Sequence, residues 1–89
     1  MVNEMRPLTE SGIQEWIVSY LARILKIKAD EIDVTAPFVY YGLDSLTTVN
    51  LTRDLKDWLG IDLAPTLAYE YPNIQTLSEH LAKVCLEKK

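Results

Sequence analysis

The 89-residue sequence predicts an all-α protein, a four-helix bundle with a long loop after the first helix and a short third helix. Three observations carry this expectation. Three segments repeat apolar residues with a helical period, start and stop signals bracket them, and no stretch alternates apolar and polar residues as a half-buried strand does.

The first helix is predicted over 11–27, "SGIQEWIVSYLARILKI". Ile13, Trp16, Ile17, Tyr20, Leu21, Ile24 and Leu25 recur at i, i+3, i+4 and i+7, so they form one apolar stripe, with Trp16 in the core. Ser11 and Gln14 have the spacing of a capping box, in which each side chain meets an orphan backbone N–H. Residues 28–44, "KADEIDVTAPFVYYGLD", lose the period and contain Asp30, Asp33, Pro37 and Gly42 as punctuation. They remain too apolar for a solvated linker, and the expectation is a long loop pinned to the core by Ile32, Phe38 and Leu43.

A second helix fits 45–59, "SLTTVNLTRDLKDWL", with Asp44 at the N-cap and Gly60 just past its end. Leu46, Val49, Leu55 and Leu59 are expected to face the core, with Leu51 at its border. Thr47, Thr48 and Thr52 lower its intrinsic propensity, so tertiary packing must hold it. Pro65 begins a short helical turn over 65–71 that closes before Pro72. The last helix spans 74–86, capped by Asn73, with Ile74, Leu77, Leu81, Val84 and Cys85 as its stripe. Lys83, Lys88 and Lys89 lie toward its C-terminal end, where cations suit the helix dipole.

Composition narrows the function. Hydrophobic residues make up 48% and charged residues 25%, the balance of a soluble globular domain with a thin core. A net charge of −4 argues against nucleic acid, which needs clustered Lys and Arg. No apolar run approaches the ~18 residues of a membrane span, and "MVNEMRPLTE" lacks the order of a signal peptide. With one cysteine, Cys85, no internal disulfide can form, and the expected location is the cytoplasm. One histidine, His80, and one cysteine make no metal site.

The stretch "PFVYYGLDSLTTVN" sets an acid and a serine, Asp44 and Ser45, between an apolar turn and a helix. A nucleophilic serine needs an oriented base, but His80 lies 35 positions away on another helix. "GLDSL" is also not the G-x-S-x-G elbow of a hydrolase, so no catalytic residue is assigned. Two readings remain on the residues alone. Asp44 and Ser45 are an ordinary helix cap, or Ser45 accepts a phosphate-linked group where the helix dipole favours an anion. In the second, Gly42 permits the tight turn, and Leu43 and Leu46 fasten it so that only the serine is presented.

"YYGLDSLTTVNL" resembles the phosphopantetheine attachment motif of acyl carrier proteins, whose core is Asp-Ser-Leu preceded by Gly and an apolar residue. "FVYYGLDSL" resembles the family's Phe-x-x-x-Gly-x-Asp-Ser-Leu approach, and "LAPTLAYEYPNIQTLSEHLA" its passage from helix III to helix IV, most like polyketide synthase carriers. The resemblance implies an N-terminal tail over 1–10, an acyl carrier domain over 11–86 and a C-terminal tail over 87–89. It implies 4′-phosphopantetheine, transferred from coenzyme A to Ser45 by a phosphopantetheinyl transferase, with Asp44 and Leu46 flanking the site. Acyl intermediates then ride as thioesters on the arm's thiol. The implied partners are an acyl-loading enzyme (an acyltransferase or fatty acyl-AMP ligase) and a ketosynthase or other synthase domains, met by a monomeric, non-catalytic carrier.

Partners of this family dock on the second helix and the loop before it, here at Leu43, Leu46, Val49 and Arg53. The family's fatty-acid members carry a dense acidic face there. This chain instead balances Asp44, Asp54 and Asp57 against Arg53 and Lys56, which favours apolar contacts. Trp58, beside Leu59, is expected to be partly packed. The expected pathway is polyketide or mixed lipid–polyketide biosynthesis, the chain being a discrete protein or a domain of a larger synthase. The alternatives are a fatty-acid or nonribosomal-peptide carrier, or a helical interaction domain with no prosthetic group.

Overall fold

The computed structural model describes residues 9–87. Its helices are α1 (Glu10–Leu25), α2 (Ser45–Leu59), the short α3 (Leu67–Glu70) and α4 (Ile74–Glu87). The connection between α1 and α2 contains two 3-10 turns, Ala29–Glu31 and Phe38–Tyr41, which the loss of helical period in the sequence did not foreshadow. Among the described residues the one extended pairing is an isolated antiparallel bridge between Pro37 and Asn73. The all-α expectation holds, as do the long connection and the short third helix.

The capping side chains explain where the helices start. Thr9, not Ser11, caps α1: its Oγ1 accepts the Gly12 amide at 3.2 Å, and the helix begins at Glu10. A threonine two residues earlier gives the first turn an acid, Glu10, where the dipole favours one, and leaves Ser11 inside the helix and exposed. Asp44 caps α2 and Asn73 caps α4, as expected; Asn73 Oδ1 accepts the Thr76 amide at 2.8 Å. Gly60 ends α2 at φ 71°, donating its amide to Lys56 O.

The core is a single cluster in which α1 and α4 pack most closely. Ile13, Ile17 and Leu21 from α1 meet Ile74, Leu77 and Leu81 from α4, with Leu51 and Leu55 from α2, all with essentially no exposure. Each such side chain stabilises the fold by roughly 1.5–3 kcal/mol relative to exposure. Cys85 is buried on the α4 stripe. Val84 is only half-buried, and Ser78 takes a core position because its hydroxyl donates to Ile74 O at 2.7 Å. Lys88 and Lys89 lie outside the described residues. On α1, Ile24 turns outward, and Trp16 is half-buried at the edge of the core instead of inside it.

On α2 the expected core face is displaced. Leu46 is 69% exposed and Val49 also faces solvent, while Leu51 is wholly buried. The buried stripe is Thr48, Leu51, Thr52, Leu55 and Leu59, which shares one helical face. Threonine can occupy it because its hydroxyl is satisfied locally: Thr48 Oγ1 donates to Asp44 O at 2.9 Å and Thr52 Oγ1 to Thr48 O at 3.1 Å. Counting threonines as polar moved the predicted face by most of a quarter turn.

The connection is pinned as expected. Ile32 and Phe38 are buried and Leu43 packs half-buried against the core. It is also tied to the start of α4: the Phe38 amide donates to Pro72 O at 2.8 Å and the Gln75 amide to Val34 O at 2.9 Å. The Tyr41 hydroxyl accepts the Asp33 amide at 2.6 Å and donates to Asp33 O at 2.9 Å, closing the loop on itself. At the far end of α2, Trp58 is half-buried and stacks on Trp16 with centroids 5.1 Å apart, and Trp16 stacks on Tyr20. The Tyr20 hydroxyl donates to Asp54 at 2.6 Å.

Two predictions test this packing. Leu51→Ala should cost about 2–4 kcal/mol of unfolding free energy, and Val49→Ala under about 0.5 kcal/mol. Urea unfolding of the two variants measures the difference, and equal losses would refute the assigned face. The Tyr20 phenol is pushed up to about 12 by burial first, then by its hydrogen bond to Asp54 and that residue's charge. Because the fold favours the neutral phenol, its contribution is intact below pH ~10 and is lost as pH rises through the folded value. An ultraviolet phenolate titration should show one of the five tyrosines ionising late, and Tyr20→Phe should abolish that late step.

Candidate functional site

Ser45 is the first residue of α2 and is exposed. Two local devices hold it there. Gly42 closes the Phe38–Tyr41 turn at φ 73°, a backbone geometry that costs a residue with a Cβ, and donates its amide to Val39 O at 3.0 Å. A Cβ at Gly42 would meet no atom of the chain within 4 Å, so the backbone angle alone asks for glycine. Asp44 then starts the helix: its Oδ1 accepts the Thr47 amide at 2.8 Å, and its carbonyl accepts the Thr48 amide at 3.0 Å.

These bonds leave the Ser45 and Leu46 amides at the helix end without a hydrogen-bond partner among the described residues. With the helix dipole they favour a negative group beside Ser45. The Thr47 amide, and then its side chain, hold the Asp44 carboxyl below the usual carboxylate range, so Asp44 is ionised at neutral pH. The Ser45 hydroxyl is exposed at the helix start beside a committed capping carboxylate, and His80, which stacks on Tyr71 with centroids 4.3 Å apart, is not among the residues lining the groove described next.

The groove beside Ser45 has a volume of about 370 Å³. The 3-10 turn supplies Phe38 and Val39, the short α3 supplies Ala68 and Tyr69, and Leu43 and Pro72 close the sides. Of these, Phe38 and Ala68 belong to the core, so one wall is fixed by the fold. An apolar groove that opens next to an exposed serine and two free amides fits a group with a phosphodiester at one end and a long flexible arm beyond it.

The remaining expected site residues separate into two environments. Leu46, Val49 and Arg53 are exposed along one outer face of α2. Leu43 is half-buried in the groove and not free on the surface. Leu46 does not fasten the turn as expected, since it projects into solvent; Leu43 does so alone. Sequence reasoning did not single out Tyr69 or Val39 for the site. Their signal was present, an exposed-type apolar residue in each of two short turns that flank the serine in space, but only the tertiary fold brings them together.

Comparison with known proteins matches this arrangement to one family. Residues 15–81 match the family model described as the phosphopantetheine attachment site. The chain is 33% identical over 75 residues to the acyl carrier protein TtuC of Teredinibacter turnerae, covering 84% of this chain and 86% of that protein. It is 39% identical over 71 residues to the polyketide synthase PksM of Bacillus subtilis, covering 80% of this chain but 2% of the synthase. Among solved structures, an acyl carrier protein from Anabaena sp. PCC 7120 with a variant phosphopantetheinylation-site sequence superposes with a TM-score of 0.84 at 31% identity, covering 94% of this chain and 96% of that one. A free-standing peptidyl carrier protein from Acinetobacter baumannii gives 0.81 at 29% identity, covering 88% and 98%.

The fold and the site thus define a carrier. The chain belongs to the phosphopantetheine-attachment family, whose covalent group is 4′-phosphopantetheine, and is an acyl carrier protein similar to the carriers of polyketide synthases.

The cap gives a prediction. Asp44 is favoured as the anion in the fold, so its contribution is present above its unfolded pKa of ~3.9 and is lost as pH falls through the lower folded value. Asp44→Ala should lower the melting temperature at neutral pH, and the gap to the parent should narrow progressively as pH falls below the unfolded value. A gap that persists undiminished in acid would show that the carboxylate's charge is not what caps α2.

Proposed function

We propose that Ser45 is the residue that receives the 4′-phosphopantetheine arm, and that the chain carries acyl intermediates on it in polyketide or mixed lipid–polyketide biosynthesis. The observation that supports the site is Ser45's position: an exposed hydroxyl at the start of α2, beside two unpartnered amides, at the mouth of an apolar groove. The polyketide assignment is supported by similarity to synthase carriers. When bound, the group supplies a terminal thiol that holds an acyl chain as a thioester. Everything else falls to the chain's own residues.

Ser45 is an anchor, and no step requires it to attack substrate. The amides of Ser45 and Leu46 bind the phosphodiester's charge, and Asp44 keeps the helix end formed beneath it. Phe38, Leu43 and Ala68 offer the arm an apolar wall against which it can rest. Tethering makes the encounter of acyl group and enzyme intramolecular, at an effective concentration in roughly the millimolar range. Leu46, Val49 and Arg53 on the outer face of α2 carry the docking of synthase enzymes, with Leu43 acting through the groove. Those enzymes are an acyl-loading acyltransferase or fatty acyl-AMP ligase and a ketosynthase. No helix among the described residues is long and apolar enough to cross a membrane, which is consistent with a cytoplasmic site of action.

Intact mass after incubation with coenzyme A, magnesium and a broad-specificity phosphopantetheinyl transferase tests the assignment. The parent should gain one phosphopantetheine and Ser45→Ala none, with a stability change of at most ~1 kcal/mol. A gain in Ser45→Ala would move the site elsewhere. No gain in a folded, unmodified parent would reduce Asp44 and Ser45 to a helix cap.

A further inference from the structure

His80, the chain's one histidine, does not line the groove at Ser45, yet it is not an idle surface residue. It is half-buried on α4, and its imidazole lies 14° from parallel to the Tyr71 ring with centroids 4.3 Å apart. Neither ring hydrogen-bonds to another described residue, so the contact is one of faces. The stack lies in an open surface pocket of about 390 Å³. Pro72 lines both this pocket and the groove beside Ser45.

Tyr71 stands at a junction. The α3 helix is a single turn of four residues, and Thr66 before it makes no side-chain cap. A helix that short does not hold itself in place. Leu67 and Ala68 seat one of its faces in the core, and Tyr71 closes its end by donating its amide to Leu67 O at 3.1 Å. The next residue is a proline, which restricts the Tyr71 backbone. That proline's carbonyl accepts the Phe38 amide at 2.8 Å.

Fixing the Tyr71 ring therefore fixes two things. One is the turn of α3 that gives Ala68 and Tyr69 to the groove. The other is the Pro72 carbonyl, which holds the Phe38–Tyr41 turn, and that turn runs through Gly42 directly to Asp44 and Ser45. The α4 helix is a firm support for such a contact, because Ile74, Leu77 and Leu81 are buried and pack the helix against α1.

Resting on the assignment of Ser45, we infer that His80 is a positioning residue for the attachment site: its stack on Tyr71 holds α3 and Pro72 where they wall the groove and fix the turn that presents Ser45. His80 touches neither the serine nor the arm. The position uses an aromatic face and not the imidazole nitrogens, so a phenyl ring serves there as well. The effect reaches the reaction because a misplacement of ~1 Å at a reacting atom can slow a transfer roughly a hundredfold.

Amide hydrogen exchange followed by NMR, combined with steady-state phosphopantetheine transfer from coenzyme A by a broad-specificity transferase with magnesium, tests the inference. In His80→Ala, exchange at the Phe38 and Tyr71 amides should quicken about fivefold or more, while the Leu51 and Leu55 amides in the core of α2 stay within about twofold of the parent. Transfer to the same variant should lose about fivefold or more in kcat/KM. His80→Phe should restore both quantities to within about twofold of the parent, and Lys83→Ala, which alters the pocket without touching the stack, should change neither. In a Tyr71→Ala background, His80→Ala should have no further effect, because the two act as one contact. Unchanged exchange at Phe38, an equal rise at Leu51 and Leu55, or failure of a folded His80→Phe to restore the parent's values overturns the inference. Faster exchange with unchanged transfer overturns the link to Ser45. A parent that gains no phosphopantetheine overturns the assignment of Ser45, while the exchange pattern still decides whether the stack holds the turn.

Discussion

The hydrogen bond from the Phe38 amide to the Pro72 carbonyl joins two parts of the chain that the site needs side by side. The connection from α1 to α2 is long, and left free it would cost conformational entropy and present Ser45 in no fixed place. Its attachment to the start of α4 removes that freedom. Asn73 serves both segments, since its Oδ1 caps α4 through the Thr76 amide while its Nδ2 donates to Thr35 O at 3.4 Å. Exposed hydrogen bonds of this kind contribute only about 0.5–1.5 kcal/mol each. They act together with the burial of Phe38, and the two effects require the same placement. The groove follows from it, because Phe38 and Val39 form one wall only when the turn is docked against α3 and Pro72.

A second constraint is the use of hydroxyls inside the bundle. Thr48, Thr52 and Ser78 are all buried, and each donates to the carbonyl four residues earlier on its own helix. Small side chains satisfied this way let helices approach without bulky apolar residues at those positions, and no buried side-chain donor or acceptor among the described residues lacks a partner. The consequence reaches the surface. With the core of α2 supplied by threonines and leucines on one face, Leu46 and Val49 are released to the other, where they are exposed.

This exchange also marks where the sequence ceased to be legible. Helix order, the caps Asp44 and Asn73, the pins Ile32 and Phe38 and the attachment motif could be read directly, because each rests on local pattern or on residue types with one common use. The buried face of α2 could not. Threonine is ambiguous between polar surface and satisfied core, and the choice depends on helices placed by tertiary contacts. The start of α1 was misread for a related reason: Thr9 and Ser11 are both competent caps, and the sequence alone does not rank them. Val39 and Tyr69 acquire meaning only when the turn and α3 are brought to the same groove.

The two ends of α2 are built for different tasks. At its C-terminal end Trp58 stacks on Trp16, and Asp54 accepts the Tyr20 hydroxyl, so α2 is joined to α1 by aromatic contact and a short hydrogen bond. An aromatic pair of this kind adds about 0.5–1.5 kcal/mol beyond the area it buries. At the N-terminal end the ties are local: a capping carboxylate, a hydroxyl returning to its own helix, and a glycine turn. The end that carries Ser45 and the groove is thus held by its caps and by the docked turn, and the far end by interhelical contact. A carrier must let a succession of enzymes approach one serine and one groove. Anchoring α2 by its far end meets that need without loosening the core, since Leu51 and Leu55 remain fixed between the two.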